Sequence, residues 1–149
     1  MKRVVVTGMG GISALGQDWQ QIKASLLAKH NCVIRMDEWD RYPGLNTRLA
    51  APVTDFTLPA HYSRKKIRSM GRVSMMATRA SELALEDAGL LNDPILNSGQ
   101  AGVAYGSSTG STDPIMGFGD MLKTGEMSGL TATSYIRMMA HTTAVNIGV

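Results

Sequence analysis

Val4, Val5 and Val6 form an unbroken β-branched run, the pattern of a short strand buried on both faces. The run stops at Thr7-Gly8-Met9-Gly10-Gly11, where three glycines occur within four positions. A buried strand that ends in a glycine-rich turn is where α/β folds let backbone approach a ligand. The pattern therefore predicts a strand over residues 3–7. A helix follows over 17–28, with Asp18 near its start and Trp19, Ile22 and Leu26 on one face. Residues 31–44 show no period and read as irregular, pinned by Trp39, Tyr42 and Pro43. A short strand is predicted over 48–53, and Ser63 is placed to cap a short basic helix running to Met70. Gly71 interrupts before a longer helix that runs to Ala88. Its successive turns carry Val73, Met76, Ala77, Ala80, Leu83, Ala84 and Asp87, with Gly89 as its stop. Residues 101–105 read as a second buried strand and 107–112 as a small-residue loop. Helical stretches are then predicted over 113–122 and 135–147.

Strands alternating with helical patterns place the chain in the α/β class. Two short apolar strands that each end in glycine predict that residues 4–8 and 101–106 are near neighbours in one mixed, mostly parallel sheet. No internal repeat and no low-complexity linker interrupts the chain.

Composition narrows the function without choosing it. The 149 residues are enough for one domain with a sizeable core. A net charge of +3 is mild, so an acidic partner is permitted and nucleic acid is not demanded. Aromatics make up only 5%, and no basic–aromatic stripe offers a base-stacking platform. Cys32 is the only thiol, which excludes an internal disulfide framework and fits a reducing, cytoplasmic setting. No apolar run approaches membrane-spanning length, so no membrane role is expected. The eleven methionines read as adaptable core packing.

Three constellations could carry chemistry. Gly8 and Gly10 fit the start of a dinucleotide fingerprint, but its third glycine is replaced by Ser13, and Gly16 comes three residues late. Gly106-Ser107-Ser108-Thr109-Gly110 satisfies the G-x-S-x-G nucleophile-elbow pattern, and Ser108, Asp120 and His141 follow in the chain order of an α/β-hydrolase triad. Against it, Ser111-Thr112-Asp113-Pro114 reads as a turn where the elbow should enter a helix directly. Cys32 follows a helix end, where the dipole disfavours thiolate, and it reads as structural. His30, His61 and His141 are scattered, and no metal-ligand spacing links them. No cofactor or metal site is therefore expected.

Five segments, in order, resemble the β-ketoacyl-acyl-carrier-protein synthases, the condensing enzymes of fatty-acid and polyketide synthesis. The opening Val4-Val5-Val6-Thr7-Gly8 with Gly10, Ser13 and Gly16 is similar to the family's V-V-V-T-G-x-G-x-x-[ST]-x-x-G. Residues 48–53 followed by Asp55-Phe56 resemble "IAGEVKDF", and residues 63–70 resemble "RKxxRxMD". Residues 80–90 resemble "AAxEALEDAGL", and residues 102–110 resemble "GVIIGSGIGG".

The resemblance implies a thiolase-like α/β fold, with residues 1–149 forming an N-terminal ketosynthase domain that ends before the catalytic Cys elbow. It implies a decarboxylating Claisen condensation of acyl and malonyl units on an acyl carrier protein. The nucleophile and its two histidines would lie outside this chain, so no catalytic residue is expected here and the chain alone is expected to be inactive. The alternative within the family is a non-catalytic chain-length-factor partner. Arg64, Lys65 and Arg68 match the family's basic positions that bind the acidic carrier, within a cluster that also holds Lys66 and Arg72. Gly71 stands where the family usually has Asp. Thr109 matches a position near the acyl pocket that the family fills with a bulkier apolar residue. The family's second basic patch is absent, and Glu126 has the opposite sign there. A homodimer or pseudo-symmetric heterodimer is expected, with an apolar stripe of Tyr135, Ile136, Met138 and Met139 contributing to its interface.

Overall fold

The structure, a computed structural model, describes residues 3–149. Helix α1 spans Trp19–Leu27 and begins where Asp18 Oδ1 accepts the Gln21 N–H at 2.8 Å, the expected N-cap arrangement. Trp19 and Leu26 stay exposed, and Ile22 is half-buried against Gly11. Strand β1 (Ile34–Arg35) pairs antiparallel with strand β2 (Leu49–Ala50), with Ile34 opposite Ala50 and Arg35 opposite Leu49. A 3₁₀ turn, Asp37–Arg41, lies between them. Arg35 and Arg48 converge on Asp40, each at 2.7 Å, and tie this small unit together. The segment read as irregular thus contains one strand of the hairpin, too short to produce a period-2 signal.

Helix α2 (Arg64–Ile67) is capped by Ser63 Oγ, which accepts the Lys66 N–H at 3.2 Å. Helix α3 (Arg72–Asp87) is the long helix the sequence predicts. It ends in a Schellman motif: Leu90 N–H donates to Leu85 O and Gly89 N–H to Glu86 O, with Gly89 at φ +69°. Helix α4 (Thr112–Thr124) closes at Gly125, which takes φ +76° and donates to Met121 O. The last predicted helix is two helices, α5 (Ser134–Met138) and α6 (Thr142–Gly148). They are separated at Met139, whose backbone is extended.

Every side of α3 is engaged. Of its sixteen residues only Arg72, Glu86 and Asp87 are exposed. One side is a ridge of small residues, Ala80, Ala84 and Ala88, against which the opening segment lies directly. A Cβ at Gly8 would collide with the Ala84 carbonyl and stand 2.6 Å from the Ala88 nitrogen. A Cβ at Gly10 would collide with the Ala80 carbonyl and stand 2.6 Å from the Ala84 nitrogen. Only glycine permits that backbone-to-helix approach. Met9 N–H donates to Asp87 Oδ2 at 2.9 Å and holds the crossing in register. A second side, about 100° round the helix axis, is polar. Ser74 and Thr78 are its fully buried residues, and Ser74 Oγ lies 2.9 Å from Oγ1 of Thr143, the most buried residue of α6. The buried face of α3 is therefore not the apolar one that periodicity marks, because alanine, serine and threonine let three elements crowd one helix.

The expected parallel strands are a correction. Residues 3–8 and 101–106 carry no regular secondary structure, and no ladder joins them among the described residues. Val4, Val5 and Val6 are 96%, 73% and 81% exposed. A β-branched run becomes a strand only when neighbours take up its N–H and C=O groups. The run's pattern reports a preference for burial, and this chain does not satisfy it.

Substituting Gly8 or Gly10 by alanine is expected to lower stability by about 1–3 kcal/mol, the cost of overpacking against helix backbone. Gly44→Ala, where an added Cβ meets open space, is expected to be near neutral. Denaturant unfolding of the three variants measures the contrast.

Candidate functional site

The basic segment is built on a four-residue helix, too short to persist without tertiary support. Its support comes from below. Tyr62 and Met70, on either side of α2, are buried. Arg137 of α5 donates from Nη2 to the Arg68 carbonyl at 2.8 Å. Lys66 turns inward: its Nζ lies 3.0 Å from Glu82 Oε1 on α3 and 4.3 Å from the centre of the Tyr62 ring. Arg64, Lys65 and Arg68 are exposed and form no ion pair among the described residues. The three carrier-matching positions are thus brought together on one outward surface. Arg72 is not with them. Gly71 does not continue the helix, and the Arg72 guanidinium turns back to donate to the Val53 carbonyl and lie over the Phe56 ring at 5.8 Å. Positions 64, 68 and 72 would share a face only if the helix continued through Gly71, and it does not.

Glu82 is the hub beneath this surface, and nothing in the sequence distinguishes it from an exposed helix carboxylate. Its side chain is only 14% exposed and receives Lys66, His61 at 3.3 Å and Arg79 at 3.3 Å. Burial alone would raise its pKa, but the hydrogen bonds from Lys66 and its neighbours outweigh burial and hold the carboxyl below its usual value. Burial, and then the adjacent Glu82 carboxylate, push the Tyr62 phenol well above its usual value, so it stays protonated. The buried hydroxyl lies beside Glu82 without a well-formed hydrogen bond.

A second junction joins the loop 107–111 to α3. Ser111 occupies the N-cap position of α4, yet its Oγ accepts the Val73 N–H at 3.2 Å and caps α3 instead. Its own N–H donates to Arg137 O at 2.9 Å, and Gly110 N–H donates to Met138 O. Gly71 faces this serine so closely that an added Cβ would collide with Ser111 Oγ. The glycine at 71 is therefore matched to the serine at 111. A cavity of about 580 Å³ opens beside this junction, lined by Phe56, Met75, Ser111, Asp113 and Arg137 among others. Thr109 is exposed on the same loop, and its carbonyl accepts from Ser107 Oγ at 2.7 Å. It does not line the cavity.

The remaining candidates separate. No hydrogen bond links Ser108, Asp120 and His141 among the described residues, and all three lack the mutual contacts of a triad. Cys32 is half-buried between α1 and β1. No cluster of histidine, cysteine and carboxylate fit for a metal occurs among the described residues. Among the described residues, no helix is long and apolar enough to cross a membrane. In the 135–139 stripe, Tyr135 and Met139 are exposed and Ile136 and Met138 half-buried, so the apolar surface is divided between solvent and core.

The family profile "Beta-ketoacyl synthase, N-terminal domain" matches residues 1–149. The chain belongs to this family of ketosynthases. It is 34% identical over 115 residues to 3-oxoacyl-[acyl-carrier-protein] synthase 2 of Vibrio cholerae, a match covering 76% of this chain and 27% of that protein. It is 29% identical over 140 residues to 3-oxoacyl-[acyl-carrier-protein] synthase 1 of Buchnera aphidicola, covering 93% of this chain and 34% of that protein. A crystal structure of a beta-ketoacyl synthase from Burkholderia phymatum superposes with a TM-score of 0.89 at 58% identity, over 99% of this chain and 36% of that one. The ishigamide ketosynthase/chain length factor shares the fold at TM-score 0.70 and 24% identity, over 96% of this chain and 35% of that one. The ketosynthase chain therefore has the thiolase-like α/β fold, and it spans about a third or less of the curated relatives it matches.

Two outcomes test these junctions. Gly71→Ala is expected to destabilise the protein, and adding Ser111→Gly to it is expected to restore part of the loss, because the second change removes the colliding side chain while forfeiting a cap worth about 1 kcal/mol; a double-mutant cycle by thermal unfolding reads this. Glu82 carries a depressed pKa in the folded state, so its contribution is complete above the usual carboxyl value of 4.5 and is lost as pH falls through the folded value. Stability followed from about pH 6 to about pH 3 is expected to fall more steeply in wild type than in Glu82→Gln.

Proposed function

We propose that this chain is the N-terminal part of a 3-oxoacyl-[acyl-carrier-protein] synthase, an acyltransferase that condenses acyl and malonyl units held on an acidic carrier. The observation that carries the reading is the family match along residues 1–149, and the outward basic surface of Arg64, Lys65 and Arg68 supports it. In the reaction, a cysteine thiol supplied outside these 149 residues takes the acyl group from its carrier thioester, releasing the carrier thiol. Loss of CO₂ from malonyl-carrier leaves a carbanion equivalent at the α-carbon. That carbon attacks the acyl-enzyme carbonyl, a C–C bond forms, and the cysteine thiolate leaves.

This chain's own residues act before the chemistry. Arg64, Lys65 and Arg68 are exposed cations unpaired among the described residues. They attract an acidic carrier at long range and orient it on arrival. Thr109, on the loop anchored by Gly110 and Ser111, shapes the acyl site from its own small side chain, and it favours an acyl group that a bulkier apolar residue would not select. Two copies of the whole protein, or one with a ketosynthase-like partner, assemble through surface that includes Tyr135 and Met139, both exposed here.

Reversing Arg64, Lys65 and Arg68 together to glutamate in the whole protein is expected to weaken carrier binding by at least about tenfold at low salt, with the difference shrinking as salt is added. Thermal unfolding should hold near the wild-type midpoint, because none of the three side chains supports the core. Carrier binding equal to wild type at low salt would make the patch an ordinary solvated helix face.

A further inference from the structure

The outward cations sit on a helix that cannot hold its own orientation. With about 100° between successive residues, Arg64, Lys65 and Arg68 fall within an arc of about 100°, and Lys66 points about 150° from the centre of that arc. The structure agrees: the three are exposed, and Lys66 reaches Glu82 on α3. Glu82 is nearly buried and shared by Lys66, Arg79 and the His61 ring, so it is a fixed anchor and not a mobile surface carboxylate. A salt bridge whose acid is immobilised costs less side-chain entropy than an exposed pair of long side chains. The Tyr62 ring under the Lys66 ammonium closes the anchor from the other side.

We propose that Glu82 is a positioning residue for the docking surface: by holding Lys66 against α3 it fixes α2 with Arg64, Lys65 and Arg68 facing an acidic partner, and it withholds Lys66 from that partner. The proposal rests on the reading of α2 as the carrier-docking surface. It makes a prediction opposite in sign to simple electrostatics. Removing a negative charge beneath a basic patch should tighten an acidic partner's binding if charge alone matters, and weaken it if geometry does.

The test measures acyl carrier protein binding and steady-state kinetics for whole-protein Glu82→Gln, Lys66→Met and the double variant, at low salt. Each single variant is expected to weaken binding by about fivefold, and the double variant by no more than either, because both changes cut the same tether. KM for the carrier-bound substrate should rise in proportion while kcat holds. Glu82→Gln binding as well as or better than wild type overturns the proposal, as does a double variant in which opposite single effects cancel. Should Glu82→Gln not fold, Lys66→Met decides alone. Weaker binding with an unchanged salt dependence supports the tether, and unchanged affinity or a salt slope reduced by about one charge refutes it. The Arg64/Lys65/Arg68 charge reversal separates the two readings. If that variant binds carrier normally, the docking surface itself is wrong. If it loses binding while Glu82→Gln does not, only the role of Glu82 is wrong.

Discussion

The close approach of residues 8–10 to the alanine ridge of α3 constrains the rest of the molecule. Two glycines bring backbone against Ala80, Ala84 and Ala88 with no side chain between, and the Met9–Asp87 hydrogen bond fixes the register. With that side of α3 occupied, the other sides must receive α6, the loop at Ser111 and the segment carrying α2. The helix is held at both ends. A serine from a distant loop caps its N-terminus, and a Schellman turn at Gly89 closes its C-terminus. A helix so confined is a rigid base for whatever is attached to it, and both candidate sites are attached to it.

Small polar side chains do much of this work. Ser74 meets Thr143 in the interior, Ser69 Oγ donates to Asn146 Oδ1, and Ser111 serves a helix other than the one it begins. Each is a directional contact that a purely apolar interface would lack. Gly71 belongs to the same logic: its missing side chain makes room for the serine that caps the helix it precedes.

The sequence made legible what depends on local rules. Ser63 as a cap, Gly89 as a stop, and the extent of α3 all follow from short-range chemistry and were found where periodicity and capping put them. Contacts between distant segments were hidden. The Glu82 hub joins residues 61, 66, 79 and 82, which in sequence look like a solvated helix and an unrelated basic run. Arg72 reads in sequence as part of the basic cluster, and the extended backbone at Gly71 redirects it to Val53 and Phe56. The strand runs at 4–6 and 101–105 announced a need for burial, but a ladder requires partners that no local pattern specifies. The break between α5 and α6 at Met139 was likewise invisible in a stretch whose composition is uniformly helix-compatible.

Function enters through geometry of attachment: a rigid helix presents a short basic helix, and the short helix presents three cations. Hydrogen exchange of the whole protein with and without acyl carrier protein tests this most directly. The amides of residues 64–68, which have few intrahelical bonds, should exchange quickly alone and become protected in the complex, while α4 is unchanged. Protection centred on α4 or elsewhere, with 64–68 exchanging at the same rate in both states, would contradict the account.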